Sequence, residues 1–436
     1  MYTISEINIK DFRDGQDVSI LTNSNVNILV GRNGTGKTRL LDILNAVFSV
    51  DTTKLRELRF KKLSIVLFDE GRKTNKNVLI DVDFETRGKE RIVVKYVINK
   101  IAYYVIDENQ RRSYFLDRDE LNYGEPEDVR ERLSKLVEFH FTSVSRFIKK
   151  YKDESYSEIF ESMNRVSSRK REKTSDIDSK IAELIQSLSN YLLKLSSKSL
   201  DVTRKLEESV LRTILYNPDY DTVEGVVSGL TSLTIDKQRL LEAYTSLGLS
   251  GKEIEGLINK HVNIMNKVLY DLRSSTVDDS AQYLSIESLL PSPLIKRTGK
   301  IVELSLEAEK ERESVYYLFS VFNSMLKEFM WDKHFTVTND GNISIVKNNK
   351  SLDIDDLSSG EKQVFILLIT SLLQDGKKCV FLIDEPEVSL HVTWQERIIG
   401  ALKEINPHAQ FLIATHSPEI AGQYSNSLID MEDFLR

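Results

Sequence analysis

The sequence predicts an α/β protein with a parallel core sheet, an antiparallel β subdomain and a large α-helical insertion. Three short apolar runs predict the core sheet, and each is followed by residues able to bind a ligand or a metal ion: 26–30, 378–383 and 411–414. Alternating apolar and polar residues early in the chain predict the antiparallel subdomain. Helical periodicity from about Pro126 to about Met330 predicts the insertion.

A glycine-rich loop connects the first apolar run to a helical pattern. The stretch from Gly31 to Thr38 fits the phosphate-binding pattern G-x-x-x-x-G-K-[ST] at every fixed position. Glycines let successive N–H groups point inward at the positive end of a helix, where they bind phosphate. Lys37 is expected to reach the terminal phosphates of a nucleoside triphosphate, and the Thr38 hydroxyl to bind Mg²⁺. A turn without a ligand is the alternative, but the strand–loop–helix context favours nucleotide binding by Gly31, Arg32, Asn33, Gly34, Thr35, Gly36, Lys37 and Thr38.

Two acidic residues follow the second apolar run. Asp384 is expected to hold the magnesium ion, because an acidic residue at the carboxyl end of a central strand commonly does so. Glu385 is expected to orient or deprotonate the attacking water. The alternative is a plain acidic turn, which the presence of the glycine-rich loop disfavours.

Two further elements flank this strand. Ser358 and Glu361 have the spacing of a capping box at a helix start, and such a helix end also presents free N–H groups to an anion. The third apolar run leads into His416. A lone histidine is more often structural, but the carboxyl end of an apolar strand is the ligand edge of an α/β sheet.

These four elements, in this order, resemble the ABC-type ATPase heads of the SMC, Rad50 and RecF group. In that resemblance the P-loop is Walker A, 357–361 is the signature motif, 380–385 is Walker B and His416 is the switch histidine. It implies catalytic roles for Lys37, Glu385 and His416. It also implies a homodimer, or an assembly of such dimers, in which two chains enclose two ATP molecules. Ser358 and Gly360 of one chain then complete the nucleotide site of the other.

The sequence of residues 384–391 and 414–418 looks like that of the bacterial AAA-type, OLD-like ATPases of anti-phage defence operons. The chain ends 20 residues after His416, so we expect no Toprim nuclease domain. The resemblance is therefore to stand-alone ATPase subunits of Septu-, retron- or PARIS-type systems. It implies a separate effector, a nuclease or a toxin, and a phage-derived trigger.

One loop departs from the resemblance. ABC-type heads carry a glutamine at the end of a strand in the first lobe. The strand predicted at 137–141 leads into residues 142–146 without one, and Ser143, Ser145 and Arg146 are the alternatives for its role.

The predicted domains are an N-terminal ATPase lobe at 1–146, a helical insertion at 147–310 and a C-terminal ATPase lobe at 311–436. The insertion has no Cys-x-x-Cys pair for a zinc hook, and its heptad-like seam at 177–195 is too short to argue for a coiled coil. We expect compact helical packing there, with apolar faces for protein contacts. A hairpin at 335–346 is expected before the signature motif.

Composition and charge fit a cytoplasmic protein without a signal peptide or membrane span. One cysteine excludes an internal disulfide. The net charge is −7, so the chain as a whole lacks the excess of basic residues that indicates nucleic-acid binding. Local basic clusters nevertheless leave DNA binding open. A DNA-repair ATPase of the RecF or SMC kind, and a scaffold that binds ATP without turnover, are the alternative functions.

Overall fold

The computed structural model describes residues 1–69, 78–87, 91–105, 126–143, 176–221, 236–275, 292–337, 343–347, 350–353 and 356–434. Its strands are β1 (Thr3–Arg13), β2 (Gln16–Leu21), β3 (Val26–Val30), β4 (Lys62–Phe68), β5 (Val78–Arg87), β6 (Arg91–Ile98), β7 (Ile101–Val105), β8 (Phe139–Ser143), β9 (His334–Val337), β10 (Ile343–Lys347), β11 (Lys350–Leu352), β12 (Val380–Asp384), β13 (Gln410–Ala414) and β14 (Leu428–Asp430). Its helices are α1 (Lys37–Ser49), α2 (Thr52–Glu57), α3 (Pro126–Leu136), α4 (Asp176–Ile214), α5 (Pro218–Asp221), α6 (Lys237–Ser246), α7 (Lys252–Ser275), α8 (Ser292–Phe329), α9 (Ser359–Leu372), α10 (Val392–Ile405), α11 (Pro418–Gly422) and α12 (Met431–Phe434).

The core is a parallel sheet with the strand order β14-β3-β13-β12-β8. Strands β12 and β13 are buried at every position, which explains their continuous apolar sequences. In the register of the sheet, Asp384 lies opposite both Ala414 and Ser143. Because all five strands run in the same direction, their carboxyl ends meet at one edge. The residues that follow β3, β12 and β13 therefore come together.

The antiparallel subdomain is a second sheet, with the order β2-β1-β4-β5-β6-β7. It confirms the antiparallel subdomain that the alternating residues early in the chain predicted. Gln410, at the start of β13, is fully buried and connects the two sheets. Its amide accepts a hydrogen bond from the Ile4 N–H at 2.8 Å and donates to the Ile4 carbonyl at 2.7 Å.

The helical region follows β8. The chain forms two compact units, one from Met1–Ser189 with Phe319–Arg436 and a second from Asn190–Leu318. The second unit has its own apolar cluster, from Leu240, Ile258, Val262, Met265, Leu269 and Ile295. An ion pair between Arg297 and Asp221, at 2.7 Å, adds a partly buried polar contact within it. The large helical region confirms the predicted fold class.

The segment before the signature motif is a small three-stranded antiparallel sheet, β11-β10-β9. Its β9–β10 pair is the predicted hairpin, and its turn lies outside the described residues. Strand β11 was not predicted, nor was β14, which pairs with β3 at the edge of the core sheet. The end of α8 packs on α10, where Phe329 and Trp394 meet edge-to-face at 5.8 Å and Arg397 pairs with Glu328. No helix in the described ranges is long and apolar enough to span a membrane.

Candidate nucleotide-binding site

The glycine-rich loop lies between β3 and α1, as predicted. Gly36 forms the helix N-cap with φ of 95°, a left-handed conformation that favours glycine. A Cβ at this position would lie 2.6 Å from the Phe12 ring, so the space admits no side chain. The first N–H groups of α1 therefore have no capping side chain from the N-cap residue. They remain available to an anion at the positive end of the helix.

Lys37 is buried within the loop. Its Nζ donates to the carbonyl of Gly31 at 2.7 Å and to that of Arg32 at 3.3 Å. Burial lowers the pKa of the Lys37 ammonium, and the negative charges of Glu385, Glu387, Asp384 and Asp430 oppose this shift. The lysine is thus held among carboxylates at the carboxyl edge of the sheet, with its charge directed into the loop.

Thr38 and Asp384 are in direct contact. The Thr38 hydroxyl donates to Oδ1 of Asp384 at 3.0 Å, and Asp384 is fully buried at the end of β12. Hydroxyl and carboxylate oxygens are the hard ligands that Mg²⁺ prefers. The residues present therefore fit a magnesium site next to the phosphate loop.

Glu385 begins a tight turn directly after β12. Its φ of 51° is left-handed, which is uncommon for a residue other than glycine and is typical of strained functional positions. Its backbone N–H donates to the Ala414 carbonyl at 2.9 Å, which fixes the turn against the neighbouring strand. Of the carboxylates that act on Lys37, Glu385 has the largest influence. The negative charge of the predicted base therefore acts on the lysine of the phosphate loop.

His416 follows β13 and its side chain is exposed at the same edge. Its backbone N–H donates to Oε1 of Glu387 at 2.6 Å. This contact joins the loop after β13 to the turn after β12. Glu387 has no role among the sequence predictions, because nothing in the local pattern indicates a hydrogen bond to residue 416.

The signature segment caps its own helix. Ser358 is the N-cap of α9, and its side chain and that of Glu361 form the predicted capping box. The ammonium of Lys333, also unassigned from the sequence, pairs with Glu361. Gly360 packs against the turn, and a Cβ there would lie 2.4 Å from the Ser389 carbonyl oxygen. Its lack of a side chain thus has a structural reason within one chain.

The same turn is attached to α9 by a buried amide. Gln363 donates from Nε2 to the Pro386 carbonyl at 2.6 Å. Within the described residues, the structure thus brings together Lys37, Thr38, Asp384, Glu385 and the His416 loop. The contacts it gives Ser358 and Gly360 are with Glu361, Ser389 and Trp394.

The predicted counterpart of the glutamine loop is only partly described. Ser143 ends β8 opposite Asp384, at the same edge of the sheet. Residues 145 and 146 lie outside the described ranges, so the choice among the three alternatives stays a prediction.

Comparison with known proteins places this site in a family. The AAA ATPase domain family matches residues 1–421. The chain belongs to this family. The ATPase that the motifs predicted is therefore confirmed, and the assignment of its nucleotide site to the P-loop edge stays a prediction.

Shorter matches link the AAA ATPase domain to individual proteins. It is 38% identical over 86 residues to the retron Ec83 probable ATPase of Escherichia coli, covering 17% of this chain and 16% of that protein. It is 25% identical over 187 residues to the retron Vc95 probable ATPase of Vibrio cholerae serotype O1 biovar El Tor, covering 38% of this chain and 34% of that protein. The matched segments thus span about a third or less of these relatives.

A solved structure also aligns with the AAA ATPase domain. It is the Smc head domain with an extended coiled coil, bound to the C-terminal domain of ScpA, from Pyrococcus furiosus. The TM-score is 0.43 at 13% identity, over 97% of this chain and 92% of that chain.

Proposed function

We propose that this protein hydrolyses Mg²⁺-ATP at the P-loop edge and uses ATP-driven dimerisation to control a separate effector in anti-phage defence. The contact between Thr38 and Asp384, next to the buried Lys37, is the main support for hydrolysis of Mg²⁺-ATP at this edge. It joins the two metal-binding candidates from distant parts of the chain at the end of a helix that can hold phosphate.

Each residue has a distinct task in the proposed reaction. The loop N–H groups and Lys37 bind the phosphates, and Thr38 and Asp384 hold the metal ion. When bound, Mg²⁺ supplies positive charge against the phosphate oxygens. Glu385 orients the attacking water and accepts its proton while the bond between the γ-phosphorus and ADP breaks. His416 contacts the γ-phosphate from the neighbouring strand.

Dimerisation is supported by the exposed end of α9. Ser358 and Ser359 are exposed there, so the positive end of a 14-residue helix is open to a phosphate held by a second chain. Gly360, packed on the Ser389 carbonyl, sets this helix end against the turn that carries Glu385. A homodimer with two ATP molecules between the chains uses both surfaces. Hydrolysis removes the shared phosphate contacts and lets the dimer relax.

Control of an effector is supported by similarity to two proteins named as retron ATPases. We infer that the dimer state silences or releases a nuclease or toxin carried by a separate chain. A phage-derived component biases the equilibrium between open and closed dimers by binding one state more tightly. The site of action is the cytoplasm.

The test of the ATPase uses Glu385→Gln, which removes the base and preserves the shape of the side chain. We expect this variant to bind ATP and remain a dimer with ATP and Mg²⁺, with hydrolysis lowered by about 100-fold or more. Lys37→Ala should bind no ATP and stay monomeric, and Glu396→Gln, an exposed residue of α10, should match the wild type. Light scattering gives the mass and phosphate release gives the rate. Wild-type hydrolysis by Glu385→Gln would remove Glu385 from its role.

The defence role is tested in cells that carry the protein with its neighbouring genes. Plaque counts should rise when Lys37→Ala replaces the wild type. Unchanged plaque counts, combined with ATP hydrolysis that DNA accelerates, would instead favour a DNA-repair ATPase.

A further inference from the structure

Glu387 connects the two loops that carry the proposed catalytic residues. It lies two residues after Glu385, and its Oε1 accepts the His416 N–H at 2.6 Å. Its own carbonyl accepts the Leu390 N–H at 3.0 Å, and the Glu385 carbonyl accepts the Val388 N–H at 3.2 Å. Glu387 is therefore held within an ordered turn, and its carboxylate reaches across to the neighbouring strand.

The second oxygen of this carboxylate is unusual. Oε2 of Glu387 is buried and has no hydrogen-bond partner among the residues that the structure describes. Burying a carboxylate oxygen without a donor costs stability, so folding alone does not account for a glutamate here. The negative charge of Glu387 also acts on Lys37 in the phosphate loop. The Glu387 carboxylate therefore contributes to the electrostatic environment of the candidate nucleotide site.

A second connection between the same loops does not involve His416. Gln395 donates to the Leu390 carbonyl at 2.9 Å and accepts a hydrogen bond from the Ser417 hydroxyl at 2.7 Å. It ties the turn to the loop after β13 one residue further along. Replacement of Gln395 is therefore a control for replacement of Glu387, because both side chains connect the same two loops.

We propose that Glu387 is a positioning residue for ATP hydrolysis, which sets the backbone of His416 at a fixed distance from Glu385. The proposal rests on the proposed function above. Glu385 and His416 are on separate strands and approach the γ-phosphate from different loops, so their relative placement depends on a cross-connection. The Glu387 carboxylate supplies it through one short hydrogen bond. A displacement of about 1 Å in such a group lowers a rate by as much as about 100-fold.

The experiment compares Glu387→Ala, Glu387→Gln and Gln395→Ala in the full chain. Glu387→Ala should lower kcat by about 10-fold or more and leave KM within about 3-fold. The hydrogen bond from the His416 N–H to the Glu387 carboxylate is lost, but the phosphate loop is intact. Glu387→Gln should recover kcat to within about 3-fold of the wild type, because its amide oxygen still accepts the His416 N–H. Gln395→Ala should keep kcat within about 3-fold. In a His416→Ala background, Glu387→Ala should have little further effect, since residues that act as a unit are not additive.

Hydrogen exchange at the His416 amide separates this proposal from the proposed function. Exchange should be faster in Glu387→Ala than in the wild type and unchanged in Glu387→Gln, whether or not ATP is hydrolysed. If the wild type shows no turnover but this exchange pattern appears, the ATPase proposal fails, and the hydrogen bond by which Glu387 holds the His416 backbone remains supported. The positioning role is overturned if Glu387→Gln is as impaired as Glu387→Ala, if Gln395→Ala loses as much activity, or if the effects of Glu387 and His416 add.

Discussion

The Thr38 hydroxyl lies 3.0 Å from the Asp384 carboxylate, although 346 positions separate the two residues in the chain. The parallel register accounts for this proximity. Strand β13 pairs with both β3 and β12, so the P-loop and the end of β12 meet at the same edge of the sheet. The hydrogen bond holds the Asp384 carboxylate in position, so under the proposed function less ordering of the site is needed when a metal ion binds.

Replacement of Asp384 by Asn separates charge from shape. The amide oxygen still accepts the Thr38 hydroxyl, but the negative charge that binds Mg²⁺ is lost. We expect affinity for an ATP analogue in EDTA to stay within about 2-fold of the wild type. The gain in affinity on adding Mg²⁺ should fall by about 10-fold, the equivalent of about 1.4 kcal/mol. Titration of a fluorescent analogue with and without Mg²⁺ measures both values, with Thr38→Ser as the control that keeps the hydroxyl. A normal Mg²⁺ response in Asp384→Asn would contradict this metal site.

The core sheet was predictable because its signals are local. Residues 26–30 and 378–383 are apolar runs followed by candidate ligand-binding residues, and parallel strands bring such ends together. The loop glycines stand at the positions that the phosphate-binding pattern requires, and Ser358 and Glu361 have the spacing of a capping box. Each of these features lies within a few residues of sequence.

The cross-connections were not predictable for the opposite reason. Glu387 binds a backbone group 29 positions away, and Lys333 binds Glu361 from 28 positions away. Strand β14 is only three residues long and pairs with β3 from the far end of the chain. No periodicity or motif encodes such contacts. They depend on how whole elements pack.

Gly360 should tolerate no side chain even in a single subunit. A methyl group there would lie 2.4 Å from the Ser389 carbonyl oxygen, so α9 and the turn must separate. We expect Gly360→Ala to lower the free energy of unfolding by about 1–3 kcal/mol, as overpacking commonly does. Urea unfolding in the absence of nucleotide measures it.

Gly256 is the matched control, since it lies within α7 and a Cβ there meets nothing within 4 Å. Gly256→Ala should leave stability unchanged or raise it by up to about 1 kcal/mol, because alanine favours helix. If Gly360→Ala is as stable as the wild type, the close packing of Gly360 on the Ser389 carbonyl does not contribute to stability.

The Lys333–Glu361 pair should make the signature helix sensitive to acid. The side chains are 8% and 12% exposed. Although burial acts to raise it, the pKa of the Glu361 carboxyl lies below its ordinary 4.5, because Lys333 and the Ser358 N–H donate to it. A depressed carboxyl pKa contributes stability that is present above the unfolded pKa and lost as pH falls through the folded pKa.

Lys333→Met tests this sign directly. At pH 7 it leaves a buried carboxylate without its cation and should lower the free energy of unfolding by about 3 kcal/mol. The difference from the wild type should shrink as pH falls, because without Lys333 the Glu361 carboxyl has a higher pKa and becomes neutral at a higher pH than in the wild type. Urea unfolding at several pH values gives both curves, with Lys347→Met as a control on the neighbouring contact to Asp332. A difference that is constant with pH would show that the pair has no electrostatic role.

Cys379 reports on the opening of the core sheet. The thiol is fully buried just before β12, and burial raises its pKa to about 12. The thiolate is the reactive form, so at pH 8 only about one thiol in ten thousand is ionised, and it has no access to reagent. We expect no labelling by a disulfide reagent in the native protein and one equivalent in urea. At urea concentrations where labelling is partial, ATP with Mg²⁺ should slow it, because a ligand that binds only the folded state suppresses opening. Prompt stoichiometric labelling without denaturant, at a rate near that of glutathione, would mean that β12 is not a stable central strand, and the placement of Asp384 next to the phosphate loop would fail with it.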